Sequence, residues 1–195
     1  MPFLATNDLL AAWIAALALV QAPTYLLLQS GDAFSLQSGD TLAATELMFT
    51  GDGIQSYSAR SLPDALKDTL TFEDRVCFLV PVQEEYVNEI KGPATVTIRH
   101  TEILMLLADR DYGLRENALV GGDGTLGVLA MKDIIMDQFT GSNLIFNRVR
   151  LYPVTGESFL TSDATRSDTR GREGWSILWR TEAGRMETRL ERLRQ

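Results

Sequence analysis

Residues 74–82, Asp74-Arg75-Val76-Cys77-Phe78-Leu79-Val80-Pro81-Val82, and residues 94–108, Ala94-Thr95-Val96-Thr97-Ile98-Arg99-His100-Thr101-Glu102-Ile103-Leu104-Met105-Leu106-Leu107-Ala108, are dominated by β-branched and apolar side chains. Such side chains suit a pleated surface buried on at least one side, so both stretches read as strands, and together as an antiparallel pair. Pro81 lacks a backbone N–H, which confines the end of the first strand to an edge or an exit. The only cysteine, Cys77, lies within that strand, closes no intrachain disulfide and reads as a small core side chain. No neighbouring residue would lower its pKa towards a reactive thiolate. The only histidine, His100, shares a side of the second strand with Val96 and Ile98, where a half-buried, hydrogen-bonded ring is expected. One histidine and one cysteine do not make a zinc cluster, although a carboxylate-only metal site stays open.

Towards the N-terminus, Ser61-Leu62-Pro63-Asp64-Ala65-Leu66-Lys67 predicts a short helix with Ser61 near its cap and proline in its first turn. Before it, Thr50-Gly51-Asp52-Gly53 is a turn leading into the polar Gln55-Ser56-Tyr57-Ser58, and residues 41–49 suit helix or strand equally. Leu28-Gln29-Ser30-Gly31-Asp32 recurs as Leu36-Gln37-Ser38-Gly39-Asp40, which reads as a pair of reversals in a β-meander. Thr24-Tyr25-Leu26-Leu27-Leu28 fits a strand, and the run from Leu9 to Val20 fits a buried helix capped by Asn7 or Asp8. That run resembles the core of a signal peptide, but no basic residue precedes it, Asp8 borders it, and Pro23 follows the only small-residue cleavage point. It is also much shorter than the roughly 20 residues that span a bilayer, so the expectation is a protein that stays in the cytoplasm where it is made.

Towards the C-terminus, Val128, Met131, Ile135 and Phe139 recur at helical spacing after a glycine-rich turn, with Asp123 or Thr125 as cap and Thr140-Gly141 as stop. Residues 143–154 read as one strand, Ile145, Val149 and Leu151 on one face and Phe146, Arg148 and Arg150 on the other. Residues 161–173 contain no apolar side chain larger than alanine and are expected to be a mobile loop. Trp175, Ile177 and Trp179 then face one way on a final strand, and Met186, Leu190 and Leu193 suggest an amphipathic helical tail over 185–195. The expected whole is one domain, residues 1–195, of the α/β class (α+β type), with a mixed, mainly antiparallel sheet flanked by two main helices.

Charge bounds the partners. Eighteen Lys and Arg against 26 Asp and Glu give a formal charge of -8, which repels bare nucleic acid, and an apolar fraction of 45% closes a sizeable core. The one motif with chemistry attached is Gly121-Gly122-Asp123-Gly124-Thr125, which matches the signature with which diacylglycerol kinases and NAD kinases hold nucleotide phosphates at a helix N-terminus. In those families it follows a buried strand and precedes a large second domain. Here it follows the polar Arg115-Glu116-Asn117 and has only 70 residues behind it, so the alternative reading as a lipid or NAD kinase-like phosphotransferase stands second to an ordinary turn and helix cap. There is no EF-hand, no Gly-x-Ser-x-Gly elbow, and Glu84 and Glu85 read as solvated loop charges. No catalytic residue, cofactor or metal is assigned.

The order of elements resembles the tail terminator or tail completion proteins of tailed bacteriophages. Two stretches carry the likeness: residues 94–109 followed by the helix at 125–139, and residues 143–154 joined through a loop to 174–181. The resemblance implies a structural virion protein rather than an enzyme, made in the host cytoplasm. Its copies would form a hexameric ring that meets the tail tube or sheath protein and the head-proximal neck protein, with no specific nucleic-acid recognition and no membrane. The chain is longer than the commonest members and adds the repeated Leu-Gln-Ser-Gly-Asp segment. A long polar loop beside an aromatic-rich edge strand would suit docking of neighbours, with residues 161–173 and the tail as contact segments.

Overall fold

The computed structural model describes residues 5–25, 43–72, 75–91, 94–110, 115–121, 126–141, 143–144, 149–159 and 172–189. In chain order the elements are α1 (Thr6–Leu17), β1 (Gln21–Tyr25), β2 (Ala43–Leu47), β3 (Ile54–Ser56), α2 (Leu62–Thr71), β4 (Val76–Lys91), β5 (Ala94–Arg110), α3 (Arg115–Val120), α4 (Val128–Phe139), β6 (Asn143–Leu144), β7 (Val149–Ser158) and β8 (Arg172–Arg189). They build a six-stranded sheet in the order β3-β4-β5-β8-β7-β6 and a separate antiparallel pair, β1-β2. Only β3 runs parallel to its neighbour, so the expected α+β architecture with a mixed, mainly antiparallel sheet is the one observed.

The antiparallel pair of β4 and β5 is the backbone of this sheet, with Val76 opposite Ala108 and Lys91 opposite Ala94. The first strand does not end at Val82 as expected but continues to Lys91. Pro81 is accommodated because β3 pairs only with Cys77 to Leu79, so that among the described residues no strand lies on the outer edge of β4 at the proline, and a register shift follows between Pro81 and Gln83. The polar stretch after Gly53 contributes the short β3, held by buried Ile54 and by Tyr57, whose ring lies 5.1 Å from Phe78 and whose hydroxyl donates to Asp68 Oδ2 at 2.7 Å. With α2 and β4 it forms a βαβ unit.

Two cores sit on the two faces of the sheet. Along β5, Ile103, Met105 and Leu107 point one way and Leu106 and Ala108 the other, the period of two that defines a strand. The first set joins Cys77, Leu79, Val149, Leu151, Ile177 and Trp179 under both main helices, α1 and α4. The second set packs with Val76, Phe78 and Val80 under α2, through Ala65, Leu62 and Leu66. In α1 the buried residues Leu9, Leu10, Trp13 and Leu17 form one stripe, and Trp13 meets Trp179 edge-on at 5.6 Å and Phe139 at 6.3 Å. Each such side chain contributes about 1.5–3 kcal/mol on burial.

Several boundaries differ from the sequence expectation for reasons the packing supplies. Helix α1 starts at Thr6 with Ala5 as its N-cap and no side-chain cap, so Asn7 and Asp8 lie inside the first turn, where the Asp8 charge suits the helix dipole. The Thr6 hydroxyl instead donates to Glu84 of β4. Ser61 is the N-cap position of α2 but makes no cap bond; its Oγ pairs with that of Ser58 at 3.1 Å. Residues 43–47 resolve to strand, because β1 supplies a partner from Gln21 to Tyr25; the rest of the expected first strand and the repeated Leu-Gln-Ser-Gly-Asp segments lie outside the described residues. The single strand expected at 143–154 is two antiparallel strands, Asn143 opposite Arg150, with β7 running on to Ser158, while Ile145, Phe146 and Arg148 lie outside the described residues. Gly141, at φ +68°, ends α4 as predicted.

The largest correction concerns β8. Expected to be short and at an edge, it spans Arg172–Arg189 and lies between β5 and β7. Residues 172–173, assigned to a loop, are buried strand, and residues 185–189, assigned to a helix, pair with residues 94–98 of β5. Cross-strand partners far away in sequence override the helical spacing of Met186 and its neighbours. Residues 160–171 and 190–195 lie outside the described residues.

Candidate functional site

The glycine-rich segment 121–127 connects α3 to α4, so it follows a short helix rather than a buried strand. Gly122, Asp123, Gly124 and Thr125 lie outside the described residues, while the two flanking glycines are described: Gly121 at φ +89° and Gly127 at φ +82°. The flanks touch, since a Cβ on Gly127 would lie 2.2 Å from the Gly121 nitrogen and 2.7 Å from the Val120 carbonyl carbon. Helix α4 begins at Val128 with Gly127 as N-cap, and the expected caps Asp123 and Thr125 lie outside the described residues. A residue from the sheet takes that place. Asp109, at the end of β5, accepts the Gly127 N–H through Oδ2 at 2.9 Å and the Arg110 N–H through Oδ1 at 2.8 Å.

Asp109 is only 3% exposed, and burial pushes its carboxyl above the ordinary carboxylate range, against the opposing pull of the Arg110 N–H, the Arg75 guanidinium, the Gly127 N–H and Arg172. Arg75 Nε lies 3.6 Å from Asp109 Oδ2 and its Nη1 lies 3.0 Å from Glu46, which ties β2, β4, β5 and the start of α4 into one charge cluster. Sequence reasoning missed Asp109, Arg75 and Arg172 because charged residues at strand ends read as solvated until the loop that covers them is placed.

The other candidates separate. Cys77 is fully buried and its thiol is pushed up by that burial, away from reactive thiolate. His100 is half-buried as expected, but its Nδ1 is buried with no hydrogen-bond partner among the described residues. Glu84 and Glu85 stand on β4 rather than in a loop. Glu84 accepts from Thr6 and Tyr86 and lies 4.0 Å from Arg99, while Glu85 lies 3.6 Å from Arg180. The Thr6 hydroxyl, then Tyr86 and Arg99, hold the Glu84 carboxyl below its ordinary range despite partial desolvation. As strand neighbours these two carboxylates point to opposite faces and cannot act as a catalytic pair. No group of three or more His, Cys, Asp or Glu side chains comes together as a metal cage among the described residues, and no helix there is long and apolar enough to cross a membrane.

What remains is a surface. Beyond Leu79 the outer edge of β4 has no strand partner among the described residues, and beyond Ala183 the β7 side of β8 has none either. From there β4, β5 and β8 continue together as a three-stranded arm, to Lys91, Ala94 and Arg189. Val82, Tyr86 and Val87 on the arm are exposed, Tyr86 by 53%. Its two edges differ in charge: residues 82–91 carry Glu84, Glu85 and Glu89 against Lys91, and residues 184–189 carry Arg185 and Arg189 against Glu187. Compared with known proteins, the chain matches no protein-family model and no curated protein sequence.

Proposed function

We propose that the chain is a structural virion protein of a tailed bacteriophage, a tail terminator or head-tail joining subunit whose copies close into a ring capping the tail tube. The observation that carries this reading is the three-stranded arm. It extends the sheet, and its long backbone edges on both sides have no strand partner among the described residues. Open edges bearing exposed Tyr86 and Val87 are a liability in a monomer and an asset in a protein that joins copies of itself. The element order resembling the terminator proteins supports the same assignment. The net charge of -8 suits a ring whose lumen passes DNA, because an acidic wall repels the duplex. In this reading the partners are the tail tube or sheath protein on one side and the neck protein on the other, and the place of action is the virion.

Native mass spectrometry of the purified chain, with negative-stain images of the same sample, tests the proposal. A closed ring, hexameric by the resemblance, is the expected result. A monomer that persists at high concentration would overturn the assignment, since a ring subunit must carry its own closing contacts.

A further inference from the structure

We propose that the meeting point of β5, α3 and α4 is a pH-sensitive latch, closed by the Asp109 carboxyl and opening more often once that group is ionised. The inference stands apart from the ring reading, and nothing in it depends on assembly. One side chain holds the three elements together. Asp109 Oδ2 accepts the N–H of Gly127, the N-cap of α4, at 2.9 Å, and Oδ1 accepts the Arg110 N–H at 2.8 Å. Gly127 is in turn pressed against the end of α3, where a Cβ on it would lie 2.7 Å from the Val120 carbonyl carbon. Helix α3 has only six residues, and the N-cap of α4 supplies no side-chain bond, so neither helix end is secured locally.

The groups around this carboxyl set the direction of the switch. Arg75, just before β4, reaches Oδ2 with Nε only at 3.6 Å and places Nη1 closer to Glu46 of β2, at 3.0 Å. From β8, Arg172 adds a favourable charge, whereas Glu173, the register partner of Asp109 and itself buried, brings a second carboxyl to the same side of the sheet. The first turn of α4 carries no acid, and its first charged residue is Lys132. In α3 the charged residues are Arg115 and Glu116, at the end away from Gly127.

With Asp109 almost wholly buried, loss of water outweighs the arginines and the two N–H groups, and its carboxyl binds a proton more readily than an ordinary one. In an opened junction the same group meets water and returns to its ordinary value, about 3.9. The closed form therefore has its full advantage below that value and loses it as pH rises through the raised one, after which opening stays more frequent.

Amide hydrogen exchange of Gly127, followed by NMR with intrinsic rates corrected for pH, tests the latch. Between about pH 3.5 and 7, Gly127 in the wild type should lose protection, and Asp109→Asn should hold it constant. Leu107, fully buried in β5, supplies the reference. Gly127 should exchange through an opening that dilute urea does not promote, while Leu107 exchanges through unfolding that urea does promote. Unchanging protection of Gly127 in the wild type, an equal loss in Asp109→Asn, or a Gly127 opening that matches that of Leu107 in frequency and urea response would each overturn the proposal. Should Asp109→Asn fail to fold, the wild type decides. The carboxyl carbon shift of Asp109 should then titrate with the same midpoint as the loss of Gly127 protection, and separate midpoints overturn the latch.

Discussion

Asp109 is where the balance of local forces is most exposed. It sits in a strand otherwise filled with Ile, Met and Leu, and desolvation there outweighs the two backbone N–H groups and the arginines that favour its charge. The raised carboxyl pKa fixes the sign of a pH effect. A group protonated more readily in the folded than in the unfolded chain contributes its full stability below the unfolded value, about 3.9, and loses it as pH rises through the raised folded value. Urea unfolding of the wild type and Asp109→Asn between about pH 3.5 and 7 should therefore show the wild type losing stability relative to the variant as pH rises. A gap that moves the other way would mean that Arg75 and Arg172, not burial, govern the carboxylate.

The junction of α3 and α4 depends on a backbone that only glycine supplies. Gly127 combines a positive φ with a close approach to the end of α3 that leaves no room for a Cβ. Gly127→Ala should cost about 2–4 kcal/mol, the sum of backbone strain and overpacking. Gly51→Ala, where a Cβ would meet nothing within 4 Å, should stay within about 0.5 kcal/mol. Equal urea midpoints for the two variants would remove Gly127 from this structural role. The carboxylate at the helix N-terminus arrives from β5, a partner that the local run Gly121 to Thr125 does not announce.

In the whole molecule, stability and openness are segregated along the same strands. Residues 103–108 of β5 are flanked on both sides and largely buried, while residues 82–88 of β4 are exposed and have a strand partner on one side only among the described residues. Amide hydrogen exchange should be slowest in the first segment and fastest along the second. Uniform protection along β4 in a monomer would contradict the open edge. The sequence by itself determined the α+β class, the β4-β5 pair, the buried helix α1, the short helix α2, the apolar stripe of α4, the stop at Gly141 and the shared face of Trp175, Ile177 and Trp179, because period and turn chemistry are local properties. Only the tertiary structure decided that β8 is central, that Arg172 and Glu173 are buried, that residues 185–189 are strand, and that an arm exists at all. Each of those depends on a partner many residues away. The charged residues of 182–189 become strand only because β5 offers them a ladder.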